Sequence, residues 1–475
     1  MIEAKNIFFL GIGGIGMSAL ARYFYRRGAV VWGYDRVESD ITRSLQAEGM
    51  GVFYDDDPLL LPAGIELVIY TPAIPVSSRC MAHLAAMGLP LRKRAEVLGM
   101  ICRKAPTIAV AGTHGKTTVC CMLAHIMVQA GLPVEAILGG VATNYNSNYI
   151  GCDDPAWMVV EADEYDRSFL HLRPAIALIT AIDADHLDIY GTDEKMKESF
   201  HAFVNNIDPR GTLLLRAGLD RPPFAGLTLT YGGGGASDNH VGSYGGGGAS
   251  DDHVGSYGGG DVADYHVASY HVAGGHARVS FAGRLELPET VLGLPGRHNM
   301  ENALAAAALA SLAGVSPGAI GKGLESFLGV KRRFELCFQS TGMVYIDDYA
   351  HHPAEIAACI GAARELYPGK SICGVFQPHL YSRTRDLAAG FARSLALLDE
   401  LIMLDIYPAR EEPIEGITAA WLMESIAIPR KRMASKETLL PLLDRLEADV
   451  LITMGAGDID RLAAPIINLL KEKYR

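Results

Sequence analysis

The chain has 475 residues, 49% of them hydrophobic and 20% charged, enough for about three domains of roughly 100–200 residues with sizeable cores. Its formal charge of -12 argues against nucleic acid as the main partner, since a phosphate backbone calls for an excess of Lys and Arg. The 8 cysteines are scattered with no CxxC pair, so neither disulfide staples nor a zinc site is indicated, and a reducing compartment is the simpler setting.

Met1–Asn6 lead directly into an apolar strand, with no signal-peptide pattern. No run of about 18 uncharged apolar residues suggests a membrane span, and a cytoplasmic protein is expected. Residues Ile7–Leu10 read as a strand, Met17–Arg27 as a helix, Val30–Asp35 as the next strand and Leu67–Tyr70 as a later one. Strands alternating with helices predict a parallel sheet. Between the first strand and helix lies Gly11-Ile12-Gly13-Gly14-Ile15-Gly16, a GxGxxG turn, and Asp35 closes the second strand. The pattern is that of a dinucleotide fold, with a diphosphate on the helix N-terminus and an acid near a ribose. On its own it does not separate NAD from a nucleotide-diphosphate substrate.

After a linker at Arg103–Pro106, a second βα system begins with the strand Thr107–Ala111. The next residues, Gly112-Thr113-His114-Gly115-Lys116-Thr117-Thr118, stand between that strand and a helix. This is a phosphate-binding loop of shortened spelling, since Val110 occupies the position of the first Walker glycine. The glycines admit close backbone approach, Lys116 neutralises the β and γ phosphates, and the Thr117 hydroxyl is placed for Mg2+. Two later strands, Ala156–Val160 and Ala175–Ile179, precede Glu161 and the Asp183-Ala184-Asp185-His186 segment. Strand C-termini in a parallel sheet face the ligand crevice, which puts Glu161 and His186 near the same metal. Imidazole is an unusual Mg2+ ligand, so His186 is either a ligand or a tuning residue.

Residues 232–270 interrupt this domain with near-identical 13-residue copies, GGGGASDNHVGSY and GGGGASDDHVGSY, and a degenerate third, GGGDVADYHVASY. Such glycine-rich sequence loses much entropy on ordering and reads as an expanded surface loop or hairpin rather than a metal site built on His240, His253 and His266. A helical run, Met300–Leu312, follows. The third segment carries strands at Met343–Ile346, Ser371–Phe376, Glu400–Leu404 and Val450–Met454. Polar clusters follow two of them: Asp347–Pro353 and Gln377–Arg385. Arg383 suits a carboxylate or phosphate, and Lys331-Arg332-Arg333 either reaches phosphate across a domain cleft or is solvated surface. His351 and His352, being adjacent, point apart, one towards substrate and one into packing.

In this order the motifs GIGGIGMSALA (11–21), AGTHGKTT (111–118), EADEYDRSF (161–169), DADHLDIYG (183–191), GRHNMENALAA (296–306), RRFE (332–335), DDYAHHP (347–353), QPHLYSRTRD (377–386) and DIYPAREEPIEG (405–416) closely resemble the Mur ligases of peptidoglycan synthesis, in their alanine-adding branch. The resemblance covers nearly the whole chain outside the repeats. It implies an α/β chain of three domains: a Rossmann-like UDP-sugar domain (1–104), a central P-loop ATPase-like domain (105–330) and a Rossmann-like C-terminal domain (331–475). It implies ATP and Mg2+ as cofactors and UDP-N-acetylmuramic acid and L-alanine as substrates, in a monomer or homodimer. Gly11, Gly13, Gly14, Gly16 and Ser18 would cradle the pyrophosphate, with Asp35 and Thr71 near the uridine. His298, Asn299 and Asn302 would take the adenine and ribose side, Asp348 the ATP ribose, and Arg332 or Arg333 the phosphates. Tyr349, His352, His379 and Arg383 would surround the amino acid and acyl phosphate, and Lys116, His186, His352 and Arg383 would carry the chemistry. Two features depart from relatives: Leu380 stands where a second basic residue often lies, and Lys195, Lys197 and His201 occupy the region of a lysine modification that this branch does not generally use.

Overall fold

The computed structural model describes residues 3–182, 192–232, 262–273, 276–409 and 411–474. His186, His240 and His253 lie outside the described residues, as do all residues of the first two repeats except Gly232. Among the described residues, no helix is long and apolar enough to cross a membrane.

The first sheet is wholly parallel, in the order β3-β2-β1-β4-β5. Its strands are β1 (Asn6–Leu10), β2 (Val30–Tyr34), β3 (Gly51–Phe53), β4 (Leu67–Tyr70) and β5 (Leu91–Lys93). Helices α1 (Ile15–Arg26), α2 (Asp40–Ala47), α3 (Arg79–Ala86) and α4 (Arg94–Ile101) connect or flank them. Helix α1 starts two residues before the apolar pattern, because Ile15 and Gly16 at its start are only half-buried.

The second sheet has 10 strands. Its central part is parallel: β6 (Thr107–Ala111), β7 (Val134–Ala142), β9 (Trp157–Glu161), β10 (Ile176–Ile179), β11 (Thr212–Arg216) and β12 (Leu227–Tyr231). One edge is the antiparallel β8 (Ser147–Ile150). At the other, β13 (Tyr265–Ala273), β14 (His276–Gly283) and β15 (Leu287–Leu292) form an antiparallel extension. The third repeat thus enters strand β13, where the His266 imidazole Nδ1 is 3.1 Å from the Ala263 carbonyl. Helices α5 (Lys116–Gln129), α6 (Asp193–Val204), α7 (Arg297–Leu312) and α8 (Pro317–Ser326) complete the domain. Lys195, Lys197 and His201 are exposed on α6.

The third sheet runs β16-β17-β21-β18-β19-β20 and is parallel apart from β16. Its strands are β16 (Glu335–Gln339), β17 (Val344–Asp348), β18 (Ile372–Phe376), β19 (Glu400–Met403), β20 (Arg430–Met433) and β21 (Val450–Met454). Helices α9 (Pro353–Leu366) and α10 (Tyr381–Asp386) follow β17 and β18.

The first two sheets share one core cluster, while each keeps another on its opposite face. One buried cluster runs from Ile7, Phe9 and Leu20 through Val97 and Ile101 to Ala109, Met158, Phe169 and Phe200. Phe169 and Phe203 stack with ring centroids 5.0 Å apart inside it. Each such fully buried aromatic contributes roughly 1.5–3 kcal/mol. The third sheet has its own clusters on its two faces, around Ile346 and Phe376 and around Tyr345 and Leu451. Val272 of β13 packs against both this sheet's core and that of the central domain.

Candidate active site

Strand β6 is wholly buried, so it fixes the loop at its C-terminal end. Gly115 caps α5 with φ of +80°, and a β-carbon there would lie 2.6 Å from Asn302 Oδ1. Only glycine combines that backbone with that approach. The loop is held from outside as well: Thr113 donates its backbone N–H to Ala181 O at 3.0 Å, and the Thr180 hydroxyl donates to His114 O.

Lys116 opens α5 and bends back, donating to Gly112 O at 2.7 Å and pairing with Glu164 at 2.8 Å. Burial pulls its ammonium pKa down, but Glu164 and Glu161 outweigh burial and hold it above the ordinary lysine value. Thr117 donates its hydroxyl to Glu161 Oε2 at 2.8 Å. Burial, reinforced by Asp163, raises the Glu161 pKa against the opposing pull of Lys116. A buried carboxylate beside a hydroxyl and a second carboxylate suits a hard divalent cation taking oxygen ligands. Thr117 and Glu161 thus fit Mg2+.

A cavity of about 250 Å³ opens beside this loop, between the second and third domains. His114, Gly115 and Thr118 line one end, His298, Asn299 and Asn302 a second wall, and Arg333, Asp348 and Glu355 the opposite domain. Asn299 donates to Pro295 O at 2.8 Å and accepts from Asn302 at 3.2 Å, which orders the first turn of α7. His298 stays neutral, its pKa lowered to about 4 by burial and by Arg333. Asp348 is pushed up to about 6 by burial, although it accepts N–H bonds from Phe334 and Ala350, each at 2.7 Å.

The structure separates the two adjacent arginines. Arg332, at φ of +60°, turns away: its guanidinium donates to Gly455 O at 2.6 Å and pairs with Asp347 at 3.4 Å and Asp460 at 3.6 Å. Arg333 lines the cavity, 4.0 Å from Glu355. Glu355 also receives the backbone N–H groups of His351 and His352 at 3.1 and 3.2 Å, and lies 3.9 Å from His114 on the phosphate loop. Sequence reading passed over Glu355; the signal was its place three residues after His352, where it forms a capping box for α9.

The two adjacent histidines meet different neighbours. His351 packs inward, its Nδ1 3.2 Å from Glu355 and its ring 5.2 Å from Tyr349. His352 caps α9, and its ring centroid is 6.2 Å from that of His114 across the cleft. His379 stacks on Tyr407 at 5.8 Å, and burial lowers its pKa to about 4. Arg383 lies on α10 close enough for its charge to act on His351 and His379, and its side chain makes no hydrogen bond or ion pair among the described residues. Leu380 sits at φ of +68° ahead of α10, an uncommon conformation for a branched side chain in a ligand loop.

The first glycine-rich turn lies apart from this cavity. Gly13 donates its N–H to Asp35 Oδ2 at 2.8 Å, so Asp35 braces the turn. Thr71 lies against Gly11, where a β-carbon would come within 2.7 Å of its methyl group. Gly14 donates to Gly11 O at 3.2 Å, tightening the turn. Ser18 is tied to this turn, its backbone N–H donating to Gly14 O at 2.8 Å and its hydroxyl to Ile15 O at 2.9 Å; the buried hydroxyl also accepts from Asn148 of the central domain at 2.9 Å.

Known proteins align with all three parts. Residues 6–105 match the Mur ligase family catalytic domain, 110–222 the Mur ligase middle domain and 332–457 the Mur ligase glutamate ligase domain. The UDP-N-acetylmuramate–L-alanine ligase of Cytophaga hutchinsonii is 44% identical, covering 100% of this chain and 98% of the relative. That of Parabacteroides distasonis is 42% identical over 100% and 99%. The crystal structure of the UDP-N-acetylmuramate–alanine ligase of Thermotoga maritima superposes with a TM-score of 0.80 at 26% identity, covering 99% and 100% of the two chains. A murein peptide ligase of Psychrobacter arcticus shares the fold, with a TM-score of 0.69 at 22% identity over 98% of each chain. Three domain matches in sequence order, full-length relatives and a cleft built on a phosphate loop agree: the chain belongs to the Mur ligase family.

Proposed function

We propose that this protein joins L-alanine to the carboxylate of UDP-N-acetylmuramic acid, using ATP and releasing ADP and phosphate, in peptidoglycan precursor synthesis in the cytoplasm. The observation that carries the reading is a single cleft with the phosphate loop on one wall and Arg333, Asp348 and Glu355 of the third domain on the other. ATP lies there with its phosphates on residues 112–118, its base and ribose towards His298, Asn299, Asn302 and Asp348, and Arg333 rather than Arg332 on the phosphate side. A muramoyl carboxylate oxygen attacks the γ-phosphorus, the bond to the β–γ bridging oxygen breaks, and ADP leaves. The alanine amine, having lost a proton, then attacks the acyl carbon and expels phosphate.

Lys116 stabilises charge on the transferring group from a preset position, the main contribution a protein makes to phosphoryl transfer. Thr117 and Glu161 hold Mg2+, which when bound neutralises phosphate charge. His186 completes that set in this reading. Tyr349, His352, His379 and Arg383 receive the amino acid, with the guanidinium of Arg383 on its carboxylate, and closure of the cleft excludes water from the acyl phosphate. The first domain, at Gly11, Gly13, Gly14, Gly16, Asp35 and Thr71, holds the UDP moiety.

The test is ADP release with UDP-N-acetylmuramic acid and either L-alanine or a tripeptide. Release that requires the sugar nucleotide and L-alanine together is expected. Release independent of the sugar nucleotide overturns the ligase reading, and a preference for the tripeptide reassigns the amine substrate.

A further inference from the structure

Arg94 stands where the first two domains meet. It opens helix α4 and is largely withdrawn from solvent, with a side-chain exposure of 19%. Its guanidinium lies over the start of α1: a β-carbon on Gly16 would be 2.9 Å from Arg94 Nη1 and 3.1 Å from its Cδ. The third glycine of the GxGxxG turn is therefore there to admit an arginine from the same domain. The other amino group, Nη2, reaches across the seam to Asp163 Oδ2 at 3.4 Å and Ser168 Oγ at 3.5 Å. Among the described residues these are its only hydrogen bonds, so Nη1 and Nε have donors to spare. The neighbouring Lys93 pairs with Asp166 at 3.6 Å, so two consecutive cations of the first domain grip one loop of the second.

That loop leads from β9 into the phosphate-transfer machinery. Asp163 lies between Glu161, which accepts from Thr117, and Glu164, which pairs with Lys116. Its charge acts on both Glu161 and Lys116. Asp166 and Arg167 hold left-handed backbone at φ of 51° and 53°, so the loop is kept in an uncommon conformation by its surroundings.

We propose that Arg94 is a positioning residue that couples the two nucleotide sites, with its Nη1 edge turned to the glycine-rich turn and its Nη2 group setting the place of Asp163. An anion arriving at the N-terminus of α1 draws on the unspent donors of Arg94, and the shift in that guanidinium is passed to the loop that carries Glu161 and Glu164. The inference rests on the ligase reading for the identity of the first ligand, a nucleoside diphosphate sugar.

The experiment is calorimetry on the full chain. The affinity of β,γ-methylene-ATP is measured alone and with saturating UDP-N-acetylmuramic acid, for the native protein and for R94A, R94Q and R94K, alongside kcat and KM. The native protein is expected to show at least a fivefold difference between the two affinities, the lower end of ordinary coupling between sites. In R94A and R94Q that difference is expected to vanish, with kcat falling at saturating substrates, and in R94K part of it returns. R94Q keeps the side-chain stem across Gly16, so melting curves for it separate coupling from loss of fold. An arginine that merely joins the domains leaves the affinity ratio unchanged, and that result, or a native ratio of one, overturns the proposal. Failure of the native protein to bind UDP-N-acetylmuramic acid at all refutes the ligase reading instead.

Discussion

The ammonium of Lys116 sits 2.8 Å from one carboxylate oxygen of Glu164 and 2.9 Å from the other. Glu164 is fully buried and its partner nearly so. The cation of the phosphate loop is thus held by a carboxylate of the loop that follows β9. A phosphate entering the cleft meets a lysine whose place is already set, and this preorganisation makes a fixed charge effective against a developing one.

Replacing Lys116 with Ala should abolish turnover, lowering kcat by at least about a thousandfold, the scale of removing a principal charge from a phosphoryl-transfer site. It also strands Glu164 in the interior, which costs about 3–5 kcal/mol when a buried pair loses one partner. Calorimetry should still register UDP-N-acetylmuramic acid, since the proposed site for it lies in the first domain. Loss of both binding and turnover, with the fold intact by circular dichroism, contradicts the division of labour between the domains.

Glu161→Gln keeps the shape of the side chain and an acceptor for Thr117 while removing the charge. Activity titrated against Mg2+ should need at least tenfold more metal for half-maximal rate. An unchanged metal requirement would remove Glu161 from the cation site.

Arg383→Lys keeps the charge and loses the planar fork, so two-point contact with a carboxylate is no longer available. KM for L-alanine should rise about tenfold or more while KM for ATP stays within twofold. A shift confined to ATP would move Arg383 to the nucleotide.

His125 supplies a pH test away from the cleft. It is buried against Tyr145 and Ser326, each at 2.9 Å, and burial lowers its pKa from 6.5 to about 4. The unfolded chain protonates this group near 6.5 and the folded chain only near 4. Stability should therefore be full above pH 6.5 and decline as the pH falls towards 4, by up to about 3 kcal/mol from this residue. Urea unfolding of H125N at pH 7 and pH 5 should show a smaller drop between the two than the native protein. An equal drop assigns the acid sensitivity to other groups, of which His298 and His379 are also lowered to about 4.

Much of the fold was legible because local pattern and global structure agree. Runs such as Ile7–Leu10, Thr107–Ala111 and Val450–Met454 are buried on both faces of parallel sheets, so they read as unbroken apolar segments. Helix α7 was the informative miss at its start. The apolar pattern begins at Met300, yet the helix begins at Arg297, since Arg297, His298 and Asn299 face the cleft or solvent and carry no core signal.

The sequence by itself determined the phosphate loop, the glycine-rich turn and the order of three α/β units, because these depend on glycine conformations, residue spacing and short apolar runs within a few turns of chain. Packing across the domains settles which of two adjacent arginines lines the cavity, that Ser18 also accepts from Asn148, that Glu355 lies by His114, and that Gly16 makes room for Arg94. Those outcomes turn on partners 15 to 241 residues distant, and no local periodicity records which side chain a buried carboxylate will meet.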